Sequence, residues 1–191
     1  LNQFGLERVW ISQATLNTTR DRVRHLVSDE EVTFVQSKSG LVTAFDINTG
    51  KRLWAHLLGR QNHVAYPVTT NSDTAFVVVG TMLFAIDKIS GEMNWKFKLD
   101  RHPSTSVEAD DHQVIIGTLD GIVYAYDIKK IRELYEESKL PQWSYQTKAW
   151  HFQAPAQINT PPVSNGKIVI FGSQNGAVFS FVVPKVKDVS N

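Results

Sequence analysis

The sequence predicts an all-β fold, a β-propeller built from four-stranded antiparallel blades. Three observations predict it: a repeat of about 40 residues, short β-branched runs joined by glycine-containing turns, and a tryptophan at a recurring place in the repeat. Asp46, Asp87 and Asp127 follow one another at intervals of 41 and 40 residues. Four short strands in every ~40 residues are typical of propeller blades, whereas a sandwich would show no such regular period.

The strand candidates recur in the same order in each repeat. The first is weakly marked, for example around Val68 or Ser106. The second is an apolar run, read as VTFVQ, TAFVVVG, QVIIGT and KIVIFGS, and the third is read as LVTAFD, MLFAID, IVYAYD and AVFSFV. The stretches SKSG, TLDG and SQNG have the chemistry of hairpin turns between these two strands, while the second repeat has a tighter VGTM connection. The fourth strand ends in tryptophan.

The turn after the third strand explains why the pattern must repeat. The chain reverses before Gly50, so Asp46 is expected to accept turn amides and Gly50 to adopt the left-handed conformation. Trp54 is then expected to pack on the neighbouring blade, which the small Ala44 permits. Trp143 comes 16 residues after Asp127, so an insertion of 8 residues is expected there. The predicted blade-docking residues are Trp10, Ala44, Asp46, Gly50, Trp54, Ala85, Asp87, Gly91, Trp95, Ala125, Asp127 and Trp143.

The first of these turns resembles the tryptophan-docking motif of the pyrroloquinoline quinone-type propeller repeats, A-x-D-x-x-T-G-K-x-x-W. The matching residues are Ala44, Asp46, Thr49, Gly50, Lys51 and Trp54. The second repeat has Ser90 and Glu92 for Thr and Lys, the third loses Thr-Gly, and the fourth has Ser180 for Ala. The likeness covers about residues 5 to 183. In such families the motif is structural, so it does not imply a bound quinone, and no cofactor is expected.

The repeats place the blades at about 11–54, 55–95, 96–143 and 156–183, as a single domain or half-propeller with a tail at 184–191. A strand at 5–10 is assigned to a flanking blade. Half of a larger propeller is the favoured interpretation, either as a fragment or with a second chain supplying the rest. A small four-bladed ring stays open as an alternative, closed by pairing of Leu6–Trp10 with 157–183. The chain begins at Leu1, so a mature product or a piece of a longer protein is expected.

Two stretches interrupt the β pattern. Residues 128–139, within an insertion at 128–140, place Ile128, Ile131, Leu134 and Tyr135 on one helical face, so a short helix is predicted. This helix is interpreted either as cover for a blade edge or as a partner-binding protrusion. The stretch KAWHFQAP, 148–155, is interpreted as a second insertion that packs on the helix or binds a partner. The possible partner-binding residues are Arg132, Tyr135, Glu136, Trp150, His151 and Phe152.

Composition excludes several functional classes. The net charge is +1 and gives no electrostatic argument for nucleic acid, and no apolar run is long enough to span a membrane. The chain has no cysteine, and its six histidines are scattered, so neither a catalytic site nor a metal site is predicted.

The resemblance is to the branch that includes the barrel-assembly lipoproteins, and it implies a non-catalytic binding scaffold in the periplasm or elsewhere outside the cytoplasm. The expected partner is another protein or a second half-propeller, for which a homodimer is one form. Two alternatives stay open: a fragment of a quinoprotein dehydrogenase, and the sensor domain of a membrane receptor or kinase.

Overall fold

The structure is a computed structural model, and it describes residues 5, 7–60 and 63–183. The predicted tail at 184–191 and Leu6 of the predicted N-terminal strand lie outside the described residues.

Four antiparallel sheets follow one another along the chain, which confirms the predicted all-β propeller architecture. Blade 1 contains β1 (Val23–Ser28), β2 (Val32–Ser37), β3 (Leu41–Asp46) and β4 (Arg52–Leu57); blade 2 contains β5 (Thr69–Thr70), β6 (Thr74–Val79), β7 (Met82–Asp87) and β8 (Met93–Lys98). Blade 3 contains β9 (Glu108–Ala109), β10 (Gln113–Gly117), β11 (Ile122–Asp127) and β12 (Lys148–Gln153); the described residues of blade 4 form β13 (Val163–Ser164), β14 (Ile168–Gly172) and β15 (Val178–Val182). Within each sheet the strands are hydrogen-bonded in sequence order.

The core lies between successive sheets. We call the leading face of a blade the one that carries the small residue two before the end of its third strand: Ala44, Ala85, Ala125 or Ser180. The opposite face is the trailing face. Phe34 and Val42 on the leading face of blade 1 share one buried cluster with Val77 and Ile86 on the trailing face of blade 2. Two further clusters fill the junctions between blades 2 and 3 and between blades 3 and 4. Alternation along each strand therefore gives every inner sheet two apolar faces.

The short first strands of blades 2, 3 and 4 lie next to one another. The hydroxyl of Thr69 donates to the carbonyl of Val107 at 2.7 Å, which joins β5 to the approach to β9. The amide of Ser164 in β13 donates to the Glu108 carboxylate in β9 at 3.1 Å. These polar contacts satisfy backbone groups that short strands cannot pair within their own sheet.

The predicted helix is present as α1 (Ile128–Glu136), and a second short helix, α2 (Leu140–Trp143), and a 3₁₀ turn (Ser144–Thr147) follow it. The carboxylate of Asp127 caps α1 by accepting the amide of Lys130 at 2.9 Å. Ile131 and Leu134 are buried in the cluster that contains Phe97 at the outer strand of blade 2. The helix therefore covers a blade edge, as one of the two interpretations predicted.

Two predictions about the outer strand of blade 3 were wrong: that it ends at Trp143, and that KAWHFQAP is an insertion. Trp143 does not end an outer strand; it lies in α2 and is 41% exposed. The outer strand of blade 3 is β12, so this blade extends past residue 143 and the stretch KAWHFQ is a strand, not an insertion. The helical segment between β11 and β12 is longer than the spacing of the tryptophans indicated.

The predicted N-terminal strand is also absent over its described part, residues 7–10. In the described part of the chain β15 pairs with β14 alone, so the four-bladed ring closed by this strand is not formed. The reason is physical, because a strand needs a hydrogen-bonding neighbour and none of the described strands lies beside these residues.

Glu108 supplies a pH-dependent prediction. Its burial raises the pKa of the carboxyl above the ordinary value for glutamate; the Ser164 amide opposes this rise in pKa and the nearby Asp110 charge reinforces it. The folded state therefore holds this proton more tightly than the unfolded state. The contribution of Glu108 to the free energy of unfolding is fully present below its pKa in the unfolded state. This contribution is lost as the pH rises through its pKa in the folded state.

We expect Glu108→Gln, which can still accept the Ser164 amide, to match the wild type in urea unfolding near pH 3.5 and to be more stable at pH 8. Glu137 is the opposite control, because its hydrogen bond with Lys139 lowers its pKa. Glu137→Gln should lose stability at pH 8. Equal stability of wild type and Glu108→Gln at both pH values would contradict the assignment.

Candidate functional site

The turn after the third strand is built in the same way in blades 1 and 2. The Asp46 carboxylate accepts the Thr49 amide and the Thr49 hydroxyl, each at 2.7 Å. The Asp87 carboxylate accepts the Ser90 amide at 2.7 Å. These bonds hold the pKa of each carboxyl below its usual value; the Thr49 hydroxyl is the largest cause for Asp46 and the Ser90 amide for Asp87. Both carboxylates are therefore engaged by their own turns.

Each of these turns ends in a glycine that receives the tryptophan of the preceding outer strand or segment. Gly50 has φ +68° and Gly91 has φ +77°, the left-handed region that favours glycine. A Cβ built on Gly91 would lie 2.5 Å from Cγ of Trp54, and one on Gly50 would lie 2.6 Å from the ring of Trp10. Glycine is therefore required at these positions for two reasons. Its backbone adopts the left-handed conformation, and its lack of a side chain leaves room for the indole.

The indole nitrogens fix the rings on these turns. Trp54 donates to the carbonyl of Lys88 at 3.0 Å, and Trp10 donates to the carbonyl of Ile47 at 2.7 Å. Both acceptors are the residue directly after the turn aspartate. In its own sheet Trp54 lies opposite Ala44, which is fully buried. The alanine, aspartate, glycine and tryptophan predicted as blade-docking residues therefore meet at one junction.

The next two junctions use different chemistry. Trp95 lies opposite Ala85 and is 1% exposed, but it packs in a cluster with α1 because Asp127 begins a helix at this place instead of a glycine turn. In blade 3 the residue opposite Ala125 is Trp150, not Trp143. The indole of Trp150 donates to the Gln113 side chain of its own blade at 2.9 Å. The Trp-x-Phe spacing inside KAWHFQ, which β8 also has at Trp95 and Phe97, was the signal that could have identified this strand.

The structure separates the predicted partner-binding residues. Arg132 and Glu136 are exposed on α1, while Tyr135 is half-buried. Trp150 and Phe152 contribute to the junction between blades 3 and 4, where the Phe152 ring lies 4.7 Å from that of Phe181. The exposed His151 lies 6.0 Å from the ring of Tyr124, centroid to centroid. No single site brings all six together.

A groove that sequence reasoning missed runs between β8 and the helical segment. It has a volume of about 970 Å³. Its floor includes the buried Phe97, Leu99 and Leu140, and the exposed Lys96 and Lys98 line it as well. The groove depends on the length of the helical segment, which the sequence spacing did not reveal.

The leading face of blade 4 is an open apolar surface. Val178 is 73% exposed, whereas the residues at the same strand position in the other blades, Val42, Leu83 and Val123, are at most 1% exposed. The other apolar members of this face, with their exposed fractions, are Val163 (64%), Ile168 (40%), Ile170 (44%) and Val182 (79%). We call these five residues the open face. A blade surface that is core elsewhere in the same protein is here in contact with solvent.

The described residues contain neither a candidate metal site nor a candidate membrane-spanning helix. Within residues 5, 7–60 and 63–183, no three His, Asp or Glu side chains are grouped so that they could hold a metal ion. Over the same residues, no helix is long and apolar enough to cross a membrane.

Comparison with known proteins gives a family and a fold. The family model described as "Outer membrane protein assembly factor BamB" matches residues 38–185, which is more than half of the chain. Comparison with curated protein sequences finds no significant match.

Three solved structures are similar. The computationally designed Ika4 protein has a TM-score of 0.66 at 15% identity, covering 91% of this chain and 100% of its own. The designed Ika8 protein gives 0.63 at 16% identity, covering 83% and 45%, and BamB from Moraxella catarrhalis gives 0.60 at 20% identity, covering 82% and 45%. These identities show the fold alone. The chain spans less than half the length of Ika8 and of this BamB.

The junction between blades 1 and 2 is tested by removing its indole. Trp54 is 7% exposed, so we expect Trp54→Ala to lower the free energy of unfolding by about 3–5 kcal/mol, as for other buried aromatic residues. Trp143→Ala is the control, since this indole is 41% exposed and its loss should cost about 0.5 kcal/mol. Chemical denaturation measures both; a loss below about 1 kcal/mol for Trp54→Ala would count against the junction.

The glycine at the same junction allows a matched comparison. Gly91 and Gly166 both have φ +77°, but a Cβ on Gly166 would meet nothing within 4 Å. Both alanine variants carry the same backbone strain, of about 1–2 kcal/mol. Gly91→Ala should lose more stability than Gly166→Ala, because its methyl group displaces the Trp54 indole. If the two variants unfold at the same denaturant concentration, the indole is not held against this glycine.

Proposed function

The chain belongs to the family described as outer membrane protein assembly factor BamB, and from this premise we propose that it is a non-catalytic propeller scaffold that binds a protein partner outside the cytoplasm. The propeller architecture provides rigid sheets in register. The open face of blade 4 is the observation that supports protein binding most directly.

The open face has the composition of a buried junction. Its five members are valine and isoleucine, and such a side chain contributes about 1.5–3 kcal/mol when it passes from full exposure to full burial, so each member would add the share of this that its exposed fraction represents. The opposite, trailing face of this sheet packs against blade 3, where Phe171 and Val169 are buried. Blade 4 is therefore covered on its trailing face and open on its leading face. Contiguous apolar surface of this kind marks an interaction site with another protein surface.

Two observations favour a binding role over catalysis. The carboxylates of the aspartates that recur in the repeat accept backbone amides of their own turns or, at Asp127, the amide at the start of a helix. The glycines and tryptophans of the repeat are used to join blades. The most regular chemistry in the sequence is therefore structural. The location outside the cytoplasm is supported by the family description, which names an outer membrane assembly factor.

The test of the binding role compares two lysine variants with the wild type, each tagged and cross-linked in the cells that produce the chain. Val178→Lys places a charge in the open face. Leu119→Lys is the matched control, because Leu119 is 52% exposed in a hairpin outside this face. A protein recovered with the wild type and the control should fall about tenfold with Val178→Lys, since a buried charge costs more than the 1.4 kcal/mol of a tenfold change. Equal recovery from all three proteins would contradict the proposal.

The absence of catalysis is tested separately. Calorimetric titration with pyrroloquinoline quinone and Ca²⁺ should show no binding, and the mixture should not oxidise an alcohol. Tight binding together with turnover would instead establish a quinoprotein dehydrogenase.

A further inference from the structure

The outer strand of blade 2, β8, forms one wall of the groove beside the helical segment. Residues 96–100 line this wall, and Tyr135, Leu140 and Pro141 belong to the opposite wall. Among the described strands β8 pairs with β7 alone, so its other edge has no neighbouring strand. An unpaired strand edge beside a groove can accept an extended segment of another chain.

The pairing with β7 determines which backbone groups of β8 face this edge. The amide of Leu99 donates to the carbonyl of Thr81 at 2.8 Å, so these two residues form a hydrogen-bonded pair. Such pairs alternate with non-hydrogen-bonded pairs along an antiparallel ladder, and Lys98 and Lys96 fall in the latter. The N–H and C=O groups of both lysines therefore point away from β7. In the described part of the chain, no loop or helix residue forms a backbone hydrogen bond with them.

The two faces of β8 differ in chemistry along this edge. Phe97 lies opposite Leu83 on the leading face, and both Phe97 and Leu99 are buried there. Lys96 and Lys98 alternate with them, so their side chains lie on the trailing face, where they are exposed. A strand added to this edge would continue both faces, with alternate side chains beside the apolar floor and beside the lysines.

The lysines give the edge a positive charge that the described residues do not neutralise. The ion pairs within the described ranges engage other lysines, and neither Lys96 nor Lys98 takes part in one. Asp100 is the one carboxylate among the described residues that line the groove, and it is paired with Lys148 at 2.6 Å. Lysines on a free edge oppose pairing with an arbitrary strand, whereas carboxylates placed opposite them are attracted.

We propose that the groove binds an extended acidic segment of another protein, which adds to the free edge of β8 as an antiparallel strand. The segment alternates apolar and acidic residues. Its apolar side chains lie beside Phe97, Leu99 and Leu140, and its carboxylates lie opposite Lys96 and Lys98. Antiparallel addition continues the pairing of every other strand in this sheet. This site is separate from the open face of blade 4, so the inference goes beyond the proposed function and does not depend on it.

The arrangement suits a strand better than a compact ligand. The apolar floor and the lysine side chains lie on opposite faces of one sheet, and the free backbone groups of Lys96 and Lys98 lie between them. An extended chain reaches both faces, because its successive side chains point to opposite sides while its backbone stays in the plane of the sheet. Main-chain hydrogen bonds then supply affinity, and the alternate side chains supply the preference for acidic sequences.

Fluorescence anisotropy with labelled peptides of six residues, the length of β8, tests the charge of the occupant. We expect Val-Glu-Val-Glu-Val-Glu to bind the wild-type chain, and Val-Lys-Val-Lys-Val-Lys to bind about tenfold more weakly. The double variant of Lys96→Glu and Lys98→Glu should weaken the glutamate peptide by about the same factor, because two attractions become two repulsions. Lys38→Glu combined with Lys167→Glu is the matched control, since both lysines are exposed and lie outside the groove; it should leave the affinity unchanged.

Methylated peptides test the strand pairing without altering the protein. In antiparallel register, the glutamates opposite Lys96 and Lys98 exchange hydrogen bonds with β8, and the valines direct their amides away from it. The peptide that is N-methylated at its glutamates should therefore lose binding, and the peptide that is N-methylated at its valines should keep it. Equal affinities of the two methylated peptides would overturn strand addition.

Three other results would also overturn the inference: no binding of the glutamate peptide, equal binding of the glutamate and lysine peptides, or binding that depends on Val178 instead of Lys96 and Lys98. In the last case Val178→Lys would abolish binding of the glutamate peptide, which would place the peptide on the open face and leave the proposed function standing. The peptide comparisons use the wild-type chain, so they decide the matter whether or not a variant folds.

Discussion

The contact between an outer-strand indole and the turn glycine of the next blade is the constraint on which the structure depends. Hydrogen-bonded ladders hold each sheet together internally, but among the described strands no ladder joins successive sheets, which are joined by side chains. Trp54 fills the space that a Cβ on Gly91 would occupy, and its hydrogen bond to Lys88 sets the orientation of the ring. The aspartate holds the turn in the shape that places this glycine under the ring. Indole, glycine and aspartate therefore act as one unit, which is why the sequence repeats them together.

A structure joined in this way has no built-in end. Every blade presents an apolar leading face for the next blade to cover, so the last blade of a row exposes residues that have the character of core. The open face of blade 4 follows from this rule, since Val178 stands at the position that Val42, Leu83 and Val123 hold in the buried junctions. At blade 1, Trp10 and Ser12 make the contacts that Trp54 and His56 make with blade 2. The open face of blade 4 and the contacts of Trp10 with blade 1 are therefore consequences of one repeat chemistry.

The sequence allowed the repeating parts of this structure to be predicted, and it failed where the repeat is interrupted. The period of the aspartates, the glycine turns and the alternation around Ala44 and Ala85 are local signals, and each corresponds to a strand or turn in the structure. Trp143 was wrongly taken as a docking residue because spacing does not reveal how long a helical segment between two strands is. The groove beside β8 could not be predicted, since it forms between segments that are distant in sequence and depends on how the helices pack. The strand predicted at 5–10 was wrong over its described part for a different reason: its sequence is that of a strand, but a strand also requires a neighbour.

The helical segment shows how the repeat tolerates such an interruption. In all three complete blades the aspartate at the end of the third strand accepts the amide three residues further on, from Thr49, Ser90 or Lys130. The same bond closes a turn in two blades and caps a helix in the third, because a helix N-terminus and an aspartate turn present the same free amide. The chain can therefore leave the sheet at this point without changing the residue that ends the strand. Ile128 and Ile131 then bury the surface that a glycine turn would have covered, and Trp95 remains 1% exposed. An insertion at this position adds a new outer surface, including the groove, while the junction beneath it stays closed.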